Sequence, residues 1–137
     1  MVVDASVWVS RLLPQDTKHA ATRGWLERHL RDGGLTASPA LALAEVAGAI
    51  ARRTGSARLG TRAVQALLDL PGLRLIAVDQ RLAMTAARLA AELSLRGADA
   101  VYVAAALDLG LPLVSWDVEQ RERGRRLVRV HTPGEME

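Results

Sequence analysis

The chain has 137 residues and no cysteine, so it has the size of one domain and lacks disulfides and cysteine-ligated metal sites. Half of the residues are apolar but none is phenylalanine, which favours a core of alanine, leucine and valine with helices packed closely around a small sheet. The net charge of +3 fits an anionic partner such as nucleic acid, or simply an arginine-rich composition. No apolar run approaches the roughly 20 residues of a membrane span, and an early acid disfavours a signal peptide. We therefore expect one cytoplasmic domain over residues 1–137.

The first half of the chain predicts two strands, each followed by helices. The opening apolar stretch ends in Asp4, and Asp16 and Thr17 are N-cap candidates for the second helix. Ser38 followed by Pro39 is typical of a helix start, with a capping serine and a proline at the first helical position. The predicted elements are a strand over 1–4, helices over 5–13 and 18–31, a strand over 35–37, and helices from 39 to about 53 and from about 57 to 70.

The second half alternates more regularly between strands and helices. Asp79 fits the N-cap of a long alanine-rich helix, and Gly110 ends the next helix because glycine readily adopts the left-handed conformation. This alternation predicts a parallel sheet in one three-layer α/β domain. The predicted elements are a strand over 73–78, a helix after residue 79 to 95, a helix within 97–110, a strand over 113–115, a helix over 118–123 and a strand over 127–130.

Four acids stand out because their surroundings are apolar or because they follow a strand. Asp4 is the only charged residue among the first ten, and Glu45 is the only one from 37 to 51. Asp99 opens an apolar helix, and Asp117 lies just beyond the carboxyl end of a strand. Ligands of open α/β sheets bind outside the carboxyl ends of the strands, so these acids are candidates for one site.

Each acid also has an ordinary structural explanation. Asp4 and Asp117 fit helix N-caps, and Asp99 suits the positive end of a helix dipole. Glu45 could form an ion pair with Arg52 or with another arginine. Taken one at a time, these explanations are at least as good as a functional one. Four such acids together, two of them at strand ends, are better explained by a shared site.

Convergence of the four acids has a chemical consequence. Crowded carboxylates raise one another's pKa, so they either take up protons or bind a cation. Without cysteine or a suitably placed histidine, the natural cation is a hard one, Mg²⁺ or Mn²⁺. Such an ion activates water and stabilises the charge on a phosphate in an in-line displacement, which indicates phosphodiester hydrolysis. Asp108 is excluded, because nine residues at about 100° each place it opposite Asp99 on the helix.

Four short blocks of the sequence resemble the conserved blocks of the PIN-domain ribonucleases. The resemblance is closest to the toxins of bacterial VapBC-type toxin-antitoxin pairs, in block order, block spacing and total length. It covers the whole chain as a single PIN domain. One block alone is weak, but the ordered set is fairly specific. The blocks are Val2-Val3-Asp4-Ala5-Ser6-Val7, Ala44-Glu45-Val46, Gly97-Ala98-Asp99-Ala100-Val101 and Leu113-Val114-Ser115-Trp116-Asp117.

The resemblance implies a sheet of five parallel strands in the order 3-2-1-4-5 and a Mg²⁺- or Mn²⁺-dependent endonuclease that cleaves RNA. It further implies inhibition by a cognate antitoxin, which places a segment and an arginine over the acids, and homodimerisation through an apolar helix surface. Ser6 and Ser115 match small hydroxyl positions that help to hold the metal, its water or the acids. The implied acidic cluster, which would be both metal ligand and catalytic centre, is Asp4, Glu45, Asp99 and Asp117.

Basic residues around the expected site are candidates for RNA contacts that add affinity without sequence choice. Arg11 follows the first block, and Arg121 and Arg123 lie beyond Asp117, with two more arginines at 125 and 126. Ordinary solvation explains each of them equally well. Trp116 is more readily explained by core packing than by base stacking. The three histidines lack ligand spacing.

Two rival functions use the same sequence features. A non-catalytic PIN domain that binds or scaffolds RNA would keep the fold, but decayed members tend to lose acids and all four are present here. A phosphoacceptor signalling domain also places an aspartate at a strand end. That class needs a lysine near the last strands, and the only lysine is Lys18.

Overall fold

A computed structural model describes residues 1–136 of the chain, and its elements surround one parallel sheet. The strands are β1 (Val2–Val3), β2 (Thr36–Pro39), β3 (Leu73–Ile76), β4 (Leu113–Val114) and β5 (Val130–His131). The helices are α1 (Ala5–Leu12), α2 (His19–Arg31), α3 (Ala42–Thr54), α4 (Ala57–Leu68), α5 (Gln80–Leu93), α6 (Gly97–Leu109) and α7 (Val118–Gly124), and a 3₁₀ turn covers Pro133–Met136.

The five strands run parallel in the order β3-β2-β1-β4-β5, which confirms the expected sheet and its three-layer α/β/α architecture. Strand β1 is central: Val2 pairs with Ala37 of β2 on one side and with Leu113 of β4 on the other. The strand order reverses at β1, so the carboxyl ends of β1 and β4 form the topological switch point. That is the position where open α/β sheets bind their ligands.

The core is built from small and branched aliphatic side chains, as the composition predicts. The four residues of β1 and β4 are fully buried, and every residue of α6 from Ala100 to Ala106 is buried. A helix that is apolar on all sides belongs inside a protein. Its alanines let the neighbouring elements approach closely, and this central helix carries Asp99 in its first turn.

The predicted helix start at Ser38 and Pro39 is wrong. Both residues belong to β2, and Pro39 pairs with Ile76 of β3. The Ser38 hydroxyl donates to the Val3 carbonyl at 2.6 Å and accepts from the Trp8 indole at 2.9 Å. These buried partners outweigh local capping, and α3 begins three residues later without a side-chain cap.

Other boundaries shift by a few residues, for example β3 ends at Ile76 and not at 78, and two of these shifts have a clear cause. The N-cap of α2 is Lys18, without a side-chain cap, while Asp16 accepts a hydrogen bond from the Lys18 amide and pairs with Arg53. The last strand begins at Val130, because the amides of residues 127 and 128 bond back to the Gly124 carbonyl and extend the turn after α7. The N-cap at Asp79 is confirmed. Among residues 1–136, no helix is long and apolar enough to cross a bilayer.

Candidate active site

Four acids from four separate segments line one cavity of about 250 Å³ at the carboxyl ends of β1 and β4. Asp4 directly follows β1, Asp117 is the third residue after β4, Glu45 comes from α3 and Asp99 comes from α6. The structure therefore brings together all four acids that the sequence singles out. The remaining lining residues are Ala5, Ser6, Arg96 and Ala98.

Asp4 is the most deeply placed acid, with 5% of its surface exposed. One carboxylate oxygen accepts from the Ser6 amide at 2.9 Å and from the Ser115 hydroxyl at 3.3 Å, and the other accepts from the Gln120 side chain at 3.3 Å. Burial raises the pKa of Asp4, the hydrogen bonds from Ser6 and Gln120 oppose that shift, and the nearby Asp117 charge adds to it. Protonation or a bound cation would relieve the cost of this buried charge.

The capping explanation proves correct for two of the acids. Asp4 is the N-cap of α1, and Asp117 is the N-cap of α7, where its carboxylate accepts from the Gln120 amide at 2.7 Å. Each cap uses one carboxylate oxygen for the backbone amide, and both side chains still line the acidic cavity. Capping and membership of the cluster are therefore compatible, because both follow from a helix that begins directly after a strand end.

Two serine hydroxyls tie the ends of β1 and β4 together. The Ser115 hydroxyl donates to Asp4 and accepts from the Asp117 amide at 3.0 Å. The Ser6 hydroxyl accepts from the Trp116 amide at 3.0 Å and lies 3.5 Å from the Ser115 hydroxyl. The serines thus fix the spacing of the two strand ends that carry acids.

Arg96 is a site residue that the sequence reasoning missed. Its guanidinium contacts Asp99 at 3.2 Å and Asp117 at 3.4 Å, while 71% of its side chain remains exposed. Burial and the charges of Asp117 and Asp4 raise the pKa of Asp99, and Arg96 offsets part of that shift. Arg96 directly precedes the third block and is the N-cap of α6, so it lies at the same end of that helix as Asp99. This position was the available signal.

Glu45 is oriented by Tyr102, another residue that the sequence reasoning missed. The Tyr102 hydroxyl donates to the Glu45 carboxylate at 2.6 Å. Burial raises the pKa of Glu45 against this hydrogen bond, and burial together with the Glu45 carboxylate raises the pKa of Tyr102 far above its usual range. The suggested ion pair with an arginine is wrong: among residues 1–136 none pairs with Glu45, and Arg52 lies against Gly48 instead. The signal was the spacing of three residues from Asp99 to Tyr102, which places both on one helix face.

Gln120 lies behind the acidic cluster, in contact with Asp4 and Asp99, and was not predicted as a site residue. Its side chain is fully buried, and its amide nitrogen donates to the Asp4 carboxylate and to the Asp99 carbonyl, both at 3.3 Å. Its carbonyl oxygen is buried without a hydrogen-bond partner within residues 1–136. A buried orphan oxygen beside the cluster is a free acceptor for a water or a protonated acid.

The donor set of the cavity fits a hard divalent cation in its chemistry. All four acids offer oxygen, and the pKa of three of them is raised, so a cation would stabilise their charged forms. Within residues 1–136, however, no three His, Asp or Glu side chains are arranged to hold a metal ion as they stand. The guanidinium of Arg96 lies between Asp99 and Asp117 in this arrangement.

The basic residues proposed from the sequence have mixed surroundings. Arg123 pairs with Glu119 at 2.6 Å and also donates to the Ser94 carbonyl. Arg11 and Arg121 each have a buried Nε without a hydrogen-bond partner in the described part of the chain. None of the three lines the acidic cavity. Their contact with RNA stays a prediction.

Residues that the sequence analysis set aside are engaged elsewhere. Asp108 pairs with Arg81 at 2.9 Å, away from the acidic cavity. The Trp116 indole donates to the Thr22 hydroxyl at 2.9 Å, in keeping with packing, and the Lys18 ammonium lies 4.8 Å from the centre of its ring. His29 stacks on Trp25.

Comparisons with known proteins agree with this fold. Solved structures with similar folds include a Mycobacterium tuberculosis toxin, VapC20, described as cleaving the sarcin-ricin loop (20% identity, 90% of this chain and 94% of that one, TM-score 0.73). FitAcB from Neisseria gonorrhoeae is 21% identical with 96% of both chains covered and a TM-score of 0.70. DNA-bound VapBC from Salmonella typhimurium is 16% identical with 96% of both chains covered and a TM-score of 0.73.

A search of curated protein sequences found no significant match. The family model described as "PIN domain" matches residues 1–125, which include all four acids and both serines. That match covers most of the chain, and the chain therefore belongs to the PIN domain family.

Proposed function

We propose that this protein is a Mg²⁺- or Mn²⁺-dependent endoribonuclease, with residues 1–137 acting as one PIN domain, and that it is the toxin of a cytoplasmic toxin-antitoxin pair. The observation that carries the proposal is the convergence of four acids from four separate segments on one cavity at the switch point of the sheet. Four carboxylates placed close together are unfavourable for folding, so their convergence supports a functional site.

The residues divide into those that hold charge and those that hold position. Asp4, Glu45, Asp99 and Asp117 would hold the ion, which when bound supplies an activated water and stabilises the charge that builds on the phosphate. Positioning falls to neighbours that contact these acids: Ser115 and Gln120 orient Asp4, and Tyr102 orients Glu45. The exposed guanidinium of Arg96, at the mouth of the cavity, suits a contact with a substrate phosphate.

The partners follow from the relatives and from the charge of the site. VapBC and FitAB structures are complexes, and several of them include promoter or other DNA. We infer that a cognate antitoxin lays a segment over the acidic cavity of this chain, with an arginine that reaches the carboxylates. We also infer that the protein forms a homodimer through an apolar helix surface; a strictly monomeric mass in light scattering would refute this part.

Cleavage of RNA by purified protein tests the central proposal. After complete removal of the antitoxin, the parent should cleave RNA with Mg²⁺ or Mn²⁺ and not with EDTA, and Asp4→Asn should be inactive. Asp108→Asn is the matched control, since it removes the same charge from an acid outside the cavity. Manganese titration by calorimetry distinguishes the alternative: an RNA-binding protein that binds no Mn²⁺ and cleaves nothing is a non-catalytic PIN domain.

A further inference from the structure

We propose that a groove beside the acidic cavity binds the RNA strand that leads to the scissile phosphate, with Lys18 and Arg52 as its phosphate contacts. This inference rests on the proposed function and names residues that hold its substrate. The basic groove, as we call it, has a volume of about 500 Å³. Its polar lining includes Asp16, Lys18, Glu45, Arg52 and Arg53.

The basic groove and the acidic cavity are adjacent. Ala5, Ser6 and Glu45 line both of them, so the two share a wall at the start of α1 and in the first turn of α3. An RNA strand with one phosphate at the acids would therefore have the groove as its neighbouring surface. The rest of the cavity is lined by Arg96, Ala98 and the other three acids.

The charges of the groove favour a polyanion. Lys18 and Arg52 are exposed, and neither forms an ion pair with a carboxylate in residues 1–136, whereas Arg53 is neutralised by Asp16 at 2.7 Å. Lys18 lies over the Trp116 ring, and Lys18 and Arg52 both keep an exposed charge beside a site that would handle phosphates. The arginine beyond Asp117 differs, because Arg123 is already held by Glu119.

The spacing along α3 suits successive phosphates of one strand. Glu45 and Arg52 are seven residues apart, which is two helical turns and about 10 Å along the axis, and Ala49 lies on the same face between them. Arg52 is thereby placed to contact a neighbouring phosphate while the scissile one lies at the acids. Val9, Ala49 and Trp116 also line the groove, with the Trp116 ring beneath the Lys18 ammonium, and add apolar surface for sugars and bases.

Charge complementarity also separates RNA from an antitoxin segment as the occupant. An antitoxin that carries an arginine to the acids would place its own positive charge close to Lys18 and Arg52. A phosphodiester strand gains from both cations and from the ion that the acids hold. The groove is therefore assigned to RNA.

The test measures RNA binding without cleavage. Fluorescence anisotropy of a labelled single-stranded RNA with full-length protein in EDTA compares the parent with Lys18→Gln/Arg52→Gln and with Arg126→Gln/Arg129→Gln. The second double variant is the matched control, since it removes the same charge from exposed arginines at the β5 end of the sheet. All three should give similar thermal melts because only exposed side chains change.

The expected result is a loss of affinity of about tenfold or more for Lys18→Gln/Arg52→Gln, with less than about twofold for the control. The plot of log affinity against log salt should become shallower by about 1.4, which is about 0.7 for each of two lost phosphate contacts in a single strand. Equal losses in both double variants, or no loss in the first, would overturn the assignment.

Two further outcomes separate this inference from the proposed function. RNA that binds through the groove but is not cleaved with Mg²⁺ or Mn²⁺ refutes the nuclease and leaves the groove as an RNA site. Metal-dependent cleavage with binding unaffected by the groove substitutions refutes the groove alone.

If the groove variant binds RNA like the parent but no longer co-purifies with the cognate antitoxin, the groove docks protein and the RNA assignment fails.

Discussion

Helix α6 carries one acid near each end, and the fold treats the two in opposite ways. Asp108, in the last turn, where the helix dipole disfavours negative charge, is compensated by Arg81 at 2.9 Å. Asp99, in the first turn, is half-buried among other carboxylates, and both its burial and the charges of Asp117 and Asp4 raise its pKa. Arg96 contacts Asp99 as well, so the difference lies in the surroundings: Asp99 has other carboxylates beside it, as expected where a cation binds.

The largest expected difference between these two ends is in activity. Loss of an outer-shell partner of a metal site costs about 10- to 100-fold, or about 1.4–2.7 kcal/mol. Asp99→Asn removes a proposed metal ligand itself, so it should reduce RNA cleavage by more than that. Asp108→Asn should stay within about twofold of the parent. Initial rates at saturating Mn²⁺, with melting temperatures of both variants, check this; equal losses would mean that the acids act through folding and not through the site.

A hydrogen bond of α6 sharpens the comparison at a smaller scale. Tyr102→Phe removes the hydroxyl that holds Glu45, and we expect Mn²⁺ affinity to fall by about tenfold, as for other outer-shell partners. Calorimetry on the parent, Tyr102→Phe, Glu45→Gln and the double variant checks the route. If Tyr102 acts through Glu45, its substitution costs little once Glu45 is glutamine, and additive losses would contradict that.

The fold and the acids could be predicted from the sequence because both depend on local patterns. Alternating apolar stretches indicate a parallel sheet, and a lone acid such as Glu45 in an apolar run is visible without coordinates. Ser38 was misread for the opposite reason, since its role depends on buried contacts with Val3 and Trp8, more than 25 residues away in the chain. Local capping signals cannot report such partners.

The neighbours of the acids were out of reach for a related reason. Gln120 and Tyr102 reach Asp4 and Glu45 only after the sheet has brought distant segments together, across separations of 116 and 57 residues. Arg96 resembles any exposed arginine, and only its position directly before the third block distinguishes it from Arg88, which pairs with Glu92 one turn away. Acids are conspicuous in an apolar run, whereas the residues that orient them are not.

The burial of Asp4, with a smaller contribution from the nearby Asp117 charge, also predicts a dependence of stability on pH. The pKa of Asp4 is higher in the folded protein than its ordinary 3.8, so the folded state holds that proton more tightly. This stabilisation is present at low pH and is lost as the pH rises from 3.8 through the raised value. Without metal, Asp4→Asn keeps a good N-cap and should melt about 2–5 °C above the parent at neutral pH, with a smaller gain at pH 4.

Melting curves in EDTA at several pH values check this expectation, with Asp108→Asn as the control that removes a compensated charge and should bring no gain. A lower melting temperature for Asp4→Asn at neutral pH would mean that the hydrogen bonds from Ser6, Ser115 and Gln120 outweigh the cost of burial. Added Mn²⁺ should stabilise the parent and leave Asp4→Asn nearly unchanged.

The smallest expected effect is that of substituting Arg96. This arginine makes the two ends of α6 alike, because it pairs with Asp99 much as Arg81 pairs with Asp108. Since 71% of the Arg96 side chain is exposed, its contacts with Asp99 and Asp117 are weak and easily broken. A cation that enters the cavity must displace them, so Arg96→Gln should raise Mn²⁺ affinity in calorimetry by about two- to fivefold. The same variant should raise KM for RNA, because a displaced guanidinium is free to contact phosphate. Arg81→Gln, which removes the corresponding partner at the other end of the helix, should change neither quantity. Weaker Mn²⁺ binding by Arg96→Gln would show instead that the arginine holds the acids in place for the ion. Arg96 would then support metal binding at one end of α6, whereas Arg81 only neutralises Asp108 at the other.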